Sequence, residues 1–125
     1  TGRILDEMCD GAVVVCDRYY ASTLAYQSAK LDGDSADIGW LKGLCEPFVG
    51  VPDIVILLDA DPAVTMRRVD DRGDMQSKFE KAGFQEQVRR AYLVLAAEYG
   101  FRVVDASRPL EQVVGDVVDI VDEVV

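Results

Sequence analysis

"VVVCDRYYASTLAYQ", residues 13–27, sets an apolar run against a charged pair and then a helix with a polar strip. A short valine-rich run suits a strand buried on both faces. Asp17 and Arg18 stand at its carboxyl end, and residues 22–31 follow with helical spacing. Strand, polar turn and helix together make the repeating unit of a parallel sheet. Open sheets of that kind bind ligands beyond the carboxyl ends of their strands, which is where this charged pair lies.

The same alternation recurs further along. Residues 12–16, 54–59 and 102–105 read as three buried parallel strands, each followed by a helical pattern. After the second, Asp61 is placed to cap a helix whose first residue is Pro62. After the third, Pro109 opens a helix with Leu110, Val113, Val114, Val117, Val118, Val121 and Val124 on one face. Two more helices interrupt the alternation. Ser35 can cap one that carries Ile38, Leu41, Cys45 and Phe48 and ends near Gly50 and Pro52; the other spans about 84–99, with Gly100 as its stop. Phe84, Val88, Ala91, Tyr92, Leu95, Ala96 and Tyr99 give that second helix its apolar face. No internal repeat or linker divides the chain, so residues 1–125 are expected to form one α/β domain with a three-stranded parallel sheet flanked by helices.

Composition narrows the chemistry. There is no histidine, which removes imidazole bases, His-based triads and nearly all transition-metal sites. Cys9, Cys16 and Cys45 are odd in number and lack CxxC spacing, so neither a disulfide framework nor a zinc knuckle is expected. The formal net charge of -10 argues against nucleic-acid partners, and also against binding to an acidic membrane surface. No run approaches the roughly 18 apolar residues of a membrane span, and no signal-peptide pattern opens the chain, so a soluble intracellular protein is expected. The charge is unevenly spread. Residues 1–66 carry four basic and eleven acidic side chains, 67–90 carry seven and five, and 91–125 carry two and seven. Only the middle stretch is net positive.

At a strand end, a guanidinium such as that of Arg18 can fork two hydrogen bonds onto a phosphate, and the adjacent Asp17 can hold that arginine or a metal-bound water. The alternative is an aspartate capping the next helix beside a surface arginine. On that helix Ser22 and Tyr26 are four apart, as are Thr23 and Gln27, so two polar pairs line neighbouring strips. Gln27 offers a donor and an acceptor to a pyrimidine edge, and Tyr26 can lie flat against a sugar or ring. Otherwise Tyr26 is a core aromatic, and Ser22 and Thr23 are capping residues.

"DRYYASTLAYQ", residues 17–27, resembles the Asp-Arg-aromatic motif and following helix of the thymidylate kinases, P-loop enzymes that phosphorylate dTMP with ATP and magnesium. The resemblance implies that Arg18 grips the 5′-phosphate of dTMP and that Asp17 supports the phosphate and, through water, Mg2+. Tyr19 and Ser22 belong to the same acceptor site, Thr23 and Gln27 read the thymine, and Tyr26 lies beneath the deoxyribose and disfavours a 2′-hydroxyl. "ILLDADP", residues 56–62, is similar to a strand and turn of that family, and the basic stretch after it falls where the family has a lid. Arg67, Arg68, Arg72 and Lys78 would then close over the transferring phosphates, with Gly73 lending flexibility. Lys78-Phe79-Glu80 is similar to an Arg-apolar-Glu signature, with an ammonium replacing the fork of an arginine. Arg89 and Arg90 are expected on a solvated helix face. "VVDAS", residues 103–107, resembles the strand and loop that border adenine, which implicates Ala106 and Ser107 in ATP binding.

The phosphate-cradling pattern GxxxxGK[ST] does not occur in these 125 residues. "TGRILDEMCDG", residues 1–11, reads as the last turns of a helix. The expectation is therefore the C-terminal two-thirds of such a kinase, a partial P-loop kinase-type sheet that is inactive without the preceding phosphate loop and its neighbouring strands. A homodimer is implied by the same resemblance, and the intracellular expectation from composition is of a cytoplasmic location. The alternatives are another deoxynucleoside or nucleotide kinase, or a non-catalytic nucleotide-binding or dimerisation module.

Overall fold

The computed structural model describes residues 2–31, 35–70 and 78–125, the side chains of 35–37, 69–70 and 78–82 excepted. Six helices, a 3-10 turn and two strands follow one another among these residues: α1 (Gly2–Cys9), α2 (Tyr20–Lys30), α3 (Ser35–Cys45), the turn Glu46–Phe48, β1 (Ile56–Asp59), α4 (Pro62–Asp70), α5 (Lys78–Tyr99), β2 (Arg102–Asp105) and α6 (Leu110–Val124). Two parallel strands need a long crossover, and α4 and α5 supply it. β1 and β2 pair in register from Ile56 opposite Arg102 to Asp59 opposite Asp105. An additional bond from the Arg102 N–H to the Val55 carbonyl, 2.9 Å, carries the ladder one residue upstream.

The expected strand at 12–16 is not formed. That run has no regular structure and joins no ladder among the described residues, and Val13 and Val15 are 63% and 85% exposed. An apolar run becomes a strand only when a neighbour takes up its N–H and C=O groups, and none of the described residues does so here. The sheet therefore has two strands where the sequence pattern suggested three. Helix α1 ends in a left-handed Gly11, φ +83°, with the Ala12 N–H reaching back 3.1 Å to the Glu7 carbonyl.

Two hydrophobic cores result. In the larger, Tyr20, Leu24, Ala25 and Ala29 of α2 meet Ile38 of α3 and Val88, Ala91 and Leu95 of α5, with Phe84 and Tyr92 packed at the margin. The alanines matter because small side chains let helix axes approach closely. In the smaller, α6 seats Val113, Val117 and Ile120 against Val104 and Ile56 of the sheet and Ile54 just before β1. The valine stripe of α6 is wider than that contact, so Leu110, Val114, Val118 and Val124 lie on an exposed flank rather than in the core. Phe48, expected to continue the apolar face of α3, sits in the 3-10 turn and is exposed. The turn rotates it away because 3-10 geometry does not preserve the 3.6-residue period.

Helix α5 begins six residues before the expected start and stops where expected, at Gly100. Gly100 takes φ +69°, and the Phe101 N–H returns 3.1 Å to the Ala96 carbonyl, six-to-one closure of the last turn. β2 in turn ends in a tight polar turn. The Asp105 carboxylate accepts from the Ser107 N–H at 2.9 Å and from its hydroxyl at 2.5 Å, and Arg108 Nε donates to the Asp105 carbonyl at 3.0 Å. The Ser107 hydroxyl and N–H, helped by the charge of Arg108, hold the Asp105 carboxyl below the usual aspartate range.

Leu95→Ala should cost about 2–5 kcal/mol in urea unfolding, since it empties a fully buried position; a loss below about 1 kcal/mol would show that the site collapses freely. Gly100→Ala meets no atom, so its expected cost is the left-handed backbone alone, roughly 1–2 kcal/mol in the same measurement. Because the Asp105 carboxyl is lowered, its contribution to stability is present above the ordinary aspartate pKa and disappears as pH falls through the lowered value. Ser107→Ala should move that carboxyl back upward in an NMR pH titration, and an unmoved titration would show the hydroxyl to be unengaged.

Candidate functional site

Arg18 departs from ordinary backbone geometry. Its φ is +59°, the one positive value at a non-glycine among the described residues, in a region that costs an arginine roughly 1–2 kcal/mol. The turn this creates carries the exposed side chain back over α2, with the guanidinium carbon 5.9 Å from the Tyr26 ring centroid. Tyr19 is the N-cap of α2 and makes no side-chain cap bond, so Asp17 is not a capping residue and neither is Ser22 or Thr23. The Asp17 carboxylate is exposed and bonds to none of the described residues. Such a carboxylate has the right chemistry for a magnesium ion that keeps most of its water, although no cluster of three or more acidic or cysteine side chains occurs among the described residues.

Along α2 the polar strips divide. Thr23 and Gln27 are exposed and open to solvent. Ser22 is half-buried, and its Oγ accepts a 2.8 Å hydrogen bond from the Tyr92 hydroxyl of α5. Tyr26 serves two purposes: one edge packs against Phe84, centroids 6.0 Å apart, while the ring also underlies Arg18. The structure thus brings Arg18, Ser22 and Tyr26 onto one side of α2, backed by α5. Tyr19 sits edge-on to Tyr20, centroids 5.6 Å apart, with its hydroxyl buried and unbonded among the described residues. A buried hydroxyl in that state calls for a partner.

A second constellation lies at the carboxyl end of β1. Arg89 of α5 forks onto Asp59, Nε to Oδ1 at 2.9 Å and Nη2 to Oδ2 at 3.1 Å, with Nη1 3.8 Å from Asp61 Oδ2. The hydrogen bond to Asp59, then the charges of Asp59 and Asp61, raise the affinity of Arg89 for its proton. The expectation of a solvated face is therefore wrong for Arg89. It suits Arg90, which is exposed and only 3.7 Å from Glu86 one turn away. Asp61 caps α4 as expected, its Oδ1 accepting from the Ala63 N–H at 2.8 Å. The Asp59 carbonyl accepts from the Ala106 N–H at 2.7 Å, which binds the Ala106–Ser107 turn to the end of β1. The sequence signal for Arg89 was its place one turn before Tyr92, at the margin of the apolar face of α5.

Of the basic residues expected over the phosphates, Arg67 and Arg68 lie exposed in the last turn of α4, and Arg67 Nε donates to its own helix at Ala63, 3.3 Å. Arg72 and the Lys78 side chain fall outside the described residues. A cavity of about 400 Å³ opens elsewhere, at the amino ends of the strands, between Tyr20, Lys42, Val55, Tyr99 and Arg102. Its two basic groups are already engaged. Lys42 pairs with Glu46 and lies 4.4 Å from the Tyr99 ring centroid, and Arg102 bonds Glu123 at 2.8 Å. Ligands of open parallel sheets bind at the opposite ends, so this cavity is not the candidate site.

The thymidylate kinase family model matches residues 2–117. The chain is 40% identical over 120 residues to the probable thymidylate kinase of Archaeoglobus fulgidus, covering 96% of this chain and 58% of that protein. It is 38% identical over 117 residues to the probable thymidylate kinase of Pyrobaculum aerophilum, covering 93% and 57%. With the thymidylate kinase of Magnetococcus marinus it shares 38% over 112 residues, covering 85% and 52%. The chain spans a little over half the length of these curated relatives. With the family motif at 17–27 and a family match over most of its length, the chain belongs to the thymidylate kinase family.

Proposed function

We propose that these 125 residues are the acceptor-binding and lid-bearing part of a single kinase domain that transfers the γ-phosphoryl group of ATP to dTMP, giving dTDP. The observation that carries this reading is Arg18, held in a left-handed conformation that lays its guanidinium over Tyr26. Strain of that kind persists where the surroundings over-determine it, and it clusters at ligand clamps.

In this reading Arg18 forks onto the 5′-phosphate of dTMP, and Asp17 orients water around a magnesium ion. When bound, that ion would supply positive charge to the phosphates as the bond to the leaving oxygen lengthens. Tyr26 presents its face to the deoxyribose, and exposed Thr23 and Gln27 present donors and acceptors to the thymine. Ala106 and Ser107 border the adenine, while Arg67, Arg68, Arg72 and Lys78 offset charge on the transferring group. The attacking atom is a phosphate oxygen that is already anionic, so a chain without histidine needs no strong base. Rate enhancement comes from alignment and from charge placed ahead of the transition state. The ATP phosphates are cradled by a glycine-rich loop outside these residues, so the stretch alone would not turn over. A cytoplasmic homodimer completes the proposal.

The full-length protein, incubated with ATP and magnesium, should phosphorylate dTMP in preference to thymidine and to other nucleoside monophosphates. Preference for thymidine would move it to a different class of kinase. Arg18→Ala should lower kcat/KM for dTMP on the order of a hundredfold or more; unchanged kinetics would remove Arg18 from the site.

A further inference from the structure

One turn of α5 reaches both constellations. Arg89 and Tyr92 are three residues apart and so lie on neighbouring strips of the helix. Tyr92 donates to Ser22, seventy residues distant in the chain, and Arg89 forks onto Asp59, thirty residues distant. Neither contact is what seats α5 on α2, because Val88, Ala91 and Leu95 already do so. Their chemistry is directional rather than adhesive. A hydroxyl that accepts one hydrogen bond keeps its own proton and a lone pair, so Tyr92 fixes the place of Ser22 Oγ while leaving it able to donate. A guanidinium held at two points sets an angle as well as a distance. Asp59 is bonded in turn to the Ala106–Ser107 turn, its carbonyl accepting from the Ala106 N–H, and Arg89 Nη1 lies 3.8 Å from Asp61, which caps the first turn of α4.

We propose that Arg89 and Tyr92 are positioning residues that divide the work by substrate: Tyr92 sets the acceptor side through Ser22, and Arg89 sets the ATP side through Asp59 and the Ala106 turn. This rests on the kinase reading above. Phosphoryl transfer depends on the alignment of two bound nucleotides, and a single helical turn tied to both supports provides a common reference for them.

Separate KM values for dTMP and ATP in the full-length enzyme test the division. Tyr92→Phe, which keeps the ring, should raise KM for dTMP about fivefold and leave that for ATP within about twofold. Arg89→Lys keeps the charge but loses the fork, and should raise KM for ATP by a similar factor with dTMP within about twofold; Arg89→Gln should do so more strongly. Ser22→Ala and Asp59→Asn should reproduce the two patterns, and they stand in, with the same expected and overturning results, should a variant at position 92 or 89 fail to fold. Equal shifts of both constants in each variant, or no shift in either, overturn the inference. A wild-type enzyme that leaves dTMP untouched overturns the kinase reading instead, so the two failures are distinct.

Discussion

The packing of α2 on α5 is the constraint on which the rest of this structure depends. Leu24 and Ala25 on one helix and Val88, Ala91 and Leu95 on the other are removed from water together, and Ile38 of α3 closes the group. Burial of that apolar surface supplies the driving force, and close packing converts it into a fixed geometry. Several of the polar contacts hang from these two helices. Tyr26 rests on Phe84, Ser22 is held by Tyr92, and Arg89 reaches the end of β1.

Most side-chain hydrogen bonds among the described residues are local, and those that join distant parts of the chain are few: Arg89 to Asp59, Tyr92 to Ser22 and Arg102 to Glu123. A chain with so large an acidic excess repels anions at a distance, so any positive charge that is to act on one has to be placed locally and held. At Arg18 the chain accepts an unfavourable backbone conformation to place one such charge. Arg89 is different in kind: its charge is largely neutralised by Asp59 and Asp61, and what remains useful is its shape. The two arginines thus sit in different settings, one presented to solvent and one tying elements together.

Much of the architecture was legible in the chain. The strand at 102–105, the cap at Asp61, the stop at Gly100 and the apolar face of α5 were all legible, and the last three follow from local rules, because caps, glycines and helical periods act within one or two turns. The motif at 17–27 marked the candidate site by residue type and order alone. The run at 12–16 shows the boundary of such reasoning. It has the composition of a buried strand, yet pairing is a property of two segments, and no described segment lies beside it. The exposed flank of α6 has the same origin, since amphipathic spacing says which residues share a face but not how much of that face a neighbour covers.

What the sequence by itself determined is therefore the main helices and the strands β1 and β2 in their order, the family, and the run of polar residues around Arg18, all of which depend on neighbours in the chain. Only the tertiary structure decided that Arg89 turns inward to Asp59 and that Tyr92 holds Ser22. These bonds join residues thirty and seventy positions apart, and their geometry exists only after the cores have set the helices against the sheet.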